Sequence, residues 1–471
     1  MSLNFSLTIG GKPVRTPDTF NVLNPKDESV VAACPKGTVE LLDQAVAAAR
    51  NAFPAWSAVP DQERAQKLVD IADVLDKHAT ELAHLITLEQ GKAQNGFGAL
   101  FEAGGAAAWA RVTASLSLPE ETIQDDTTGK IVIRRKPIGV VGSITPWNWP
   151  MIIAMWHIAP ALRVGCTVVS KPSPYTPLST LRMIELMNTV LPPGVLNVVT
   201  GDAEVGARMV THPDIAKIVF TGAVKTGKGI MSGAGGTLKR LTLELGGNDA
   251  GIILPGTDIK PFMEKLFWGC FLNGGQSCAA LKRLFVHESQ YEDVVQQLAD
   301  YVSKIPVGDG MDPKTLIGPL TNRMQLDIVS SYVDDARERG ARIVTGGVRP
   351  KGPGFFYPLT VVADVTDEMK LVREEQFGTA IPVLKYSTVE EAIARANSLD
   401  VGLGGSVWGN DPAEAAKVAS RLECGTAWVN QHGGVHPMAP FGGVKCSGIG
   451  TEFGVDGLKE YTNIQVINIA R

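Results

Sequence analysis

The stretch from Pro137 to Leu245 constrains the fold more tightly than any other part of the chain. It holds five short β-rich runs, Ile138 to Ile144, Thr167 to Ser170, Val195 to Thr200, Ile215 to Phe220 and Arg240 to Leu245, with helical segments between them. Near-continuous apolar strands alternating with helices predict a parallel sheet covered on both faces, because both sides of each strand must be buried. Sheets of this kind bind nucleotides at the carboxyl ends of their strands. Pro137 to Ala161 also lacks any Lys, Arg, Asp or Glu, yet four prolines, Asn148 and His157 interrupt it. A continuous membrane-spanning helix does not fit those interruptions; a buried strand, a turn and a short helix do.

A second alternating α/β region follows, with strands expected near Gly251 to Leu254, Arg283 to Val286, Ile381 to Tyr386, Gly405 to Trp408 and Thr426 to Val429. Ahead of both regions, residues 1 to 36 carry short strand-like pieces suited to an edge of the fold. Leu68, Ile71, Ala72 and Leu75 repeat at the spacing of one buried helix face, and two or three helices are expected across residues 40 to 115. Lys130 to Arg135 alternates as a strand after an acidic run, a candidate projecting hairpin. The chain closes on an alternating strand, Tyr461 to Ile469, with no obvious partner nearby in sequence.

A length of 471 residues allows two or three domains and a large core. The formal net charge of -5 supplies no basic field for nucleic acid or an anionic membrane, so a small-molecule partner is expected. Six cysteines without a Cys-x-x-Cys pair suggest neither a disulfide framework nor a metal site. That usage favours a reducing compartment, and the N-terminus lacks a signal-peptide pattern, so the cytoplasm is expected.

Leu272 to Ala280 offers one cysteine, Cys278, in a glycine-loosened turn with small polar neighbours. A free thiol titrates near ~8.5 and needs nearby donors or positive potential to act as a nucleophile. No histidine lies close by in sequence, so a Cys-His hydrolase would need tertiary contact with a residue such as His287 or His212. The other reading of a lone cysteine is a small buried hydrophobe. Cys34, Cys166, Cys270, Cys424 and Cys446 are read that way, while Cys278 stays open between the two.

Four further places bear on chemistry. Phe220 to Gly227 follows a strand and opens a helix, so its amides suit a phosphate, or it is a plain strand-to-helix turn. Lys171 ends a strand facing the crevice, where it reaches a ribose hydroxyl or is simply solvated. Glu244, set among leucines, has the surroundings that raise a carboxyl towards the range of a general base, unless a cation pairs with it. Asn148 sits between two indoles and two prolines, a donor framed for developing negative charge or a helix cap.

Together the motifs resemble the aldehyde dehydrogenase superfamily: Pro146-Trp147-Asn148-Trp149-Pro150, Ser170-Lys171-Pro172, Phe220-Thr221-Gly222, Glu244-Leu245-Gly246-Gly247, Gly275-Gln276-Ser277-Cys278, Glu374-Glu375-Gln376-Phe377-Gly378 and Pro440-Phe441-Gly442-Gly443. They stand in the family's order from about residue 20 to the C-terminus. The resemblance implies an α/β fold with a Rossmann-like cofactor domain (1–118 and 138–245), a second α/β catalytic domain (246–448) and a small β oligomerisation element (119–137 and 449–471). An unpaired terminal strand would then meet another chain, which predicts a homodimer or homotetramer.

By the same resemblance, Cys278 attacks the aldehyde, Asn148 and the Cys278 backbone N–H stabilise the oxyanion, and Glu244 activates the water that hydrolyses the thioester. Glu452 matches a second carboxylate that relays protons to Glu244. The implied cofactor is NAD, with NADP possible. Lys171 and Glu375 hold its riboses, Phe377 packs near the nicotinamide, and Gly222 and Gly227 lie on the phosphate side. Thr145, Pro146, Trp147, Ser173, Phe220, Thr221 and Leu245 complete its contacts, and no metal is implied.

Pro174 stands where NAD-preferring members often carry a glutamate, so NADP is less excluded. Ala223 removes a hydroxyl that usually follows Phe-Thr-Gly, while Asn248 and Thr379 depart from the pattern away from the chemistry. Trp149, Ile153, Trp156, Leu272, Ser277, Ala279 and Val435 match the substrate tunnel and favour an aliphatic or aromatic aldehyde; His157, His432 and His436 are read as structural more readily than as ligands. The rival readings are a relative that passes the thioester to phosphate or coenzyme A, which Glu244 argues against, and a non-catalytic member of the fold.

Overall fold

In the computed structural model, which describes residues 4–471, the first half of the chain supplies seven strands of an eight-stranded sheet and the helices that pack on it. Leu7–Ile9 (β1) and Lys12–Val14 (β2) form its edge, and Thr19–Leu23 (β3) with Val30–Pro35 (β4) make a separate hairpin. Four helices follow, Val39–Ser57 (α1), Asp61–Lys77 (α2), Ala79–Gln90 (α3) and Ala99–Ser115 (α4), where the sequence suggested two or three. The extra break rests on His78 alone, which ends one helix and starts the next without a Gly or Pro to announce it.

Glu121–Asp125 (β5) and Gly129–Pro137 (β6) form the expected hairpin. Then come Val140–Ile144 (β7), Pro150–Val164 (α5), Thr167–Lys171 (β8), Leu178–Met187 (α6), Leu196–Val198 (β9), Ala203–Thr211 (α7), Ile215–Gly222 (β10), Val224–Ala234 (α8) and Arg240–Leu245 (β11). The five strands run parallel in the order β9-β8-β7-β10-β11. Buried on both faces, they need the apolar runs seen in the sequence. The missing charges of residues 137–161 have the same cause: α5 is packed between this sheet and α2 and α4, with nearly every side chain buried.

Asp249–Ile253 (β12), Leu281–His287 (β13), Arg342–Thr345 (β14), Thr360–Ala363 (β15), Ala380–Tyr386 (β16), Gly404–Trp408 and Thr426–Val429 build the second sheet, parallel except where β14 meets β15. The strands β14 and β15 were not anticipated. Met263–Phe271 (α9) precedes the cysteine turn.

The C-terminal strand Thr462–Ala470 corrects the expectation that it lacks a partner. It pairs antiparallel with β6 from Thr462 opposite Pro137 to Ala470 opposite Gly129, a contact too distant in sequence to be read locally. Ile464, Val466 and Ile469 remain exposed on it. The pairing joins the two segments expected to form the oligomerisation element, while just before the strand Gly448–Ile449 pairs with β11 and the helix Gly454–Lys459 packs on α5. Among the described residues, no helix is long and apolar enough to cross a membrane.

Candidate active site

The cysteine turn is built by backbone geometry that few residues accept. After α9, Asn273, Gly274 and Gly275 take φ values of 53°, 66° and 74°, reversing the chain within three residues. A side chain at Gly275 would strike the Gly378 carbonyl. Asn273 tolerates the left-handed region because its amide is fixed at both ends. Nδ2 donates to the Asn148 carbonyl at 2.9 Å, and Oδ1 accepts from Gln90 at 3.1 Å. Gln276 locks the turn by accepting from the Thr321 N–H at 2.9 Å. Cys278 therefore leaves a rigid loop at the junction of the two sheets.

The Cys278 thiol is half-buried, and burial pushes its pKa up to about 12. Lys282 opposes that shift, while Glu244, Glu375 and Asp249 add to it. Lys282, at the start of β13, donates to the Cys278 carbonyl at 2.6 Å and the Ser277 carbonyl at 2.9 Å, and reaches Glu375 at 3.1 Å. No histidine is among the groups acting on the thiol. His432, which lines the same cavity, is held by Ser406 at 2.9 Å and lies 3.5 Å from Asp249. A Cys-His hydrolase therefore has no partner here.

Asn148 is 3% exposed and donates through Nδ2 to the Gln276 carbonyl at 2.9 Å, which leaves its second amide hydrogen free. Its own carbonyl accepts from Lys92 at 2.9 Å. Lys92 pairs with the fully buried Glu102 at 2.6 Å, and Glu102 caps the start of α5 by accepting from Met151 N at 2.8 Å. Glu244, the last residue but one of β11, has both carboxylate oxygens buried and unpartnered. Burial, with Glu452 as the second cause, holds its pKa well above the ordinary carboxylate range.

Two cavities take in residues expected at the site. One of about 290 Å³ is lined by all seven residues expected on the tunnel: Trp149, Ile153, Trp156, Leu272, Ser277, Ala279 and Val435. Phe97, Phe101, Trp109, Trp268 and Phe441 line it too and were not foreseen; Phe101 and Trp109 lie on α4 and Phe97 just before it, far in sequence from the cysteine. No Asp, Glu, Lys or Arg faces it.

The other cavity, of about 540 Å³, lies at the carboxyl ends of the first sheet and is lined by Lys171, Pro174, Asp202, Phe220, Thr226 and neighbours. Burial pushes the Lys171 amine down to about 8, with Asp202 working against that. Ala223 gives the first turn of α8 no side-chain cap, so its amides stay available to a phosphate.

Other expected cofactor residues divide. Gly227 is packed on Leu245, and Gly222 lies against the Phe220 ring. Trp147 meets Phe377 edge-on at 5.4 Å, and Phe377 takes a φ of 46°. The Thr145 hydroxyl is buried and unpartnered, and Ser173 Oγ accepts from Tyr175 N at 3.3 Å. Pro146 stands in the turn after β7. Glu375 faces Lys282 and Gly247 N, and the Thr221 hydroxyl turns inward to His157 at 3.0 Å. Glu452 is 3% exposed and lies 3.3 Å from His157. Lys282 was missed because a lysine opening a strand reads as solvated; its place four residues after Cys278 was the one signal.

The aldehyde dehydrogenase family model matches residues 14–467. A phenylacetaldehyde dehydrogenase of Pseudomonas fluorescens is 39% identical, covering 100% of this chain and 97% of its own. A geranial dehydrogenase of Castellaniella defragrans is 37% identical over 96% of each chain. Among solved structures, betaine aldehyde dehydrogenase from Staphylococcus aureus in complex with NAD+ superposes with a TM-score of 0.96 at 36% identity, covering 99% of this chain and 95% of that one.

Proposed function

The chain belongs to the aldehyde dehydrogenase family, and from that premise we propose that it oxidises an apolar aldehyde to the carboxylic acid through Cys278, with NAD as the cofactor. The observation that carries this reading is Glu244, a buried carboxyl with two unpartnered oxygens beside the thiol's cavity. A structural carboxylate would be paired.

As the Cys278 S–H proton leaves to solvent, the sulfur bonds to the aldehyde carbon and the C=O electron pair moves onto oxygen, where the free hydrogen of Asn148 Nδ2 and the Cys278 backbone N–H receive the oxyanion. Bound NAD supplies the acceptor for the hydride that then leaves that carbon. The product on Cys278 is a thioester. Glu244 takes a proton from water, the water oxygen bonds to the acyl carbon, and the C–S bond breaks with its electron pair returning to sulfur. Glu452 stands next in line for the proton. Because Glu244 gives water this route, transfer of the acyl group to phosphate or coenzyme A is disfavoured.

Lys171 and the uncapped start of α8 fit a dinucleotide's ribose and phosphate, and Pro174 offers no charge against a 2'-phosphate, so NADP is accepted as a second cofactor. The uncharged, aromatic tunnel supports an aliphatic or aromatic aldehyde. The names of the phenylacetaldehyde and geranial dehydrogenase relatives agree with that class.

The first sheet is the cofactor domain and the second the catalytic domain. Exposed Ile464, Val466 and Ile469 on the C-terminal strand support a homodimer or homotetramer built on it. Six free cysteines support a cytoplasmic home. The test is absorbance of the reduced nicotinamide with apolar and charged aldehydes, NAD and NADP, in wild type and Cys278→Ala. The variant is expected to fall by more than about 10⁴-fold; equal rates in both proteins would refute the proposal.

A further inference from the structure

Among the buried titratable groups that the reaction as drawn does not use is a histidine. His157 on α5 is 0% exposed, and its ring meets three other segments. Nδ1 lies 2.9 Å from Ser143 Oγ on β7, and Nε2 lies 3.0 Å from Thr221 Oγ1 on β10 and 3.3 Å from Glu452 Oε1. Its neighbours along α5 are apolar and buried, so a leucine or methionine would serve packing alone. An imidazole there costs free energy unless its nitrogens are met. Two of its partners are hydroxyls, which donate or accept as needed, so either tautomer is satisfied.

Glu452 Oε1 has no hydrogen-bond partner of good geometry. The titratable groups facing Glu452 are His157 from α5, Glu244 from β11 and Tyr461 ahead of the C-terminal strand. Of these, His157 alone presents a nitrogen to it. Thr221 lies opposite Glu244 in the register of β10 and β11, so His157 is tied to the strands that carry the base as well as to the second carboxylate.

We infer that His157 is a positioning residue for hydrolysis, holding the Glu452 carboxyl where it takes the proton that Glu244 removes from water. This rests on Glu244 being the base for thioester hydrolysis. The proton moves from water to Glu244 and then to Glu452; His157 itself bonds to no reacting atom. Acylation and hydride loss at Cys278 do not use the route, so His157 acts on the second half-reaction alone.

Two amides of similar polarity separate this from packing. His157→Gln places its nitrogen near the position of Nε2, facing Glu452, whereas His157→Asn reaches towards Ser143 only. Stopped-flow absorbance of the reduced nicotinamide resolves the first turnover, which ends at the thioester, from the steady state, which includes hydrolysis. In His157→Asn the first turnover is expected within about twofold of wild type while kcat falls about 30-fold, and His157→Gln keeps kcat within about threefold. Adding His157→Asn to Glu452→Gln costs no further kcat, because the histidine acts through that carboxyl.

Equal kcat in the two amide variants, or a first turnover that slows in step with kcat, overturns the inference. Where asparagine is not tolerated, Glu452→Gln alone must show the same split, and a first turnover slowed as much as kcat overturns it too. A wild type that forms no reduced nicotinamide defeats the dehydrogenase reading itself, and the role of His157 with it.

Discussion

Two walls meet at Cys278, and they are made of opposite materials. The tunnel side is aromatic and carries no charge, with Trp149, Trp156, Trp268 and Phe101 among its lining. The far side gathers ionisable groups: Lys282 on the cysteine's own carbonyl, Glu375 on Lys282, and Glu244 beside Glu452 and His157. The difference assigns the labour. In the proposed reaction the dry wall selects the aldehyde and the ionisable wall moves the protons, while burial raises both the thiol and Glu244. If this division holds, changes on the ionisable side alter kcat, whereas changes on the aromatic side alter substrate choice and KM.

Glu244→Gln is the sharpest way to break the comparison. It keeps shape and removes the base, so kcat is expected to fall about 10³-fold while the first turnover survives, read by stopped-flow absorbance. Asn148→Ala removes an oxyanion donor and should lower kcat about 10²-fold, with the first turnover slowed as well. The pH profile comes next in size. Glu244 must lose its proton to act, and its raised pKa moves that loss upward. The steady-state rate therefore keeps climbing with pH, by at most about tenfold per pH unit, through the range where an ordinary carboxylate would already give a flat line. Trp156→Ala, on the dry wall, should raise KM for an aromatic aldehyde about tenfold and leave the pH profile unchanged. A shifted pH profile in that variant would show that the walls are not separate.

How much of this was legible in the sequence follows the same division. The five parallel strands of the first sheet were readable because burial on both faces forces apolar runs. By contrast, β14 is partly exposed and β15 is four residues long, so neither stands out from its surroundings. The pairing of β6 with the C-terminal strand joins residues 129–137 to residues 462–470 and leaves no local trace. In the site, Cys278, Glu244 and Asn148 were visible because each sits in a glycine- or proline-framed motif. Lys282 and His157 were not. A lysine at a strand start and a lone histidine in an apolar helix both read as ordinary, and only the folded contacts give them work. Phe97, Phe101 and Trp268 belong to the tunnel through tertiary packing alone, with Phe97 and Trp268 meeting edge-on at 5.1 Å.

The central claim is that Cys278 carries the acyl group and Glu244 releases it. The direct test is to mix Glu244→Gln with an aromatic aldehyde and NAD, quench in acid, digest, and weigh the peptide bearing Cys278. The account predicts that this peptide gains the mass of the acyl group, about one per active site, and that the adduct is absent without cofactor. An unmodified Cys278 peptide beside a full yield of reduced nicotinamide, or the acyl group on another residue, would contradict it.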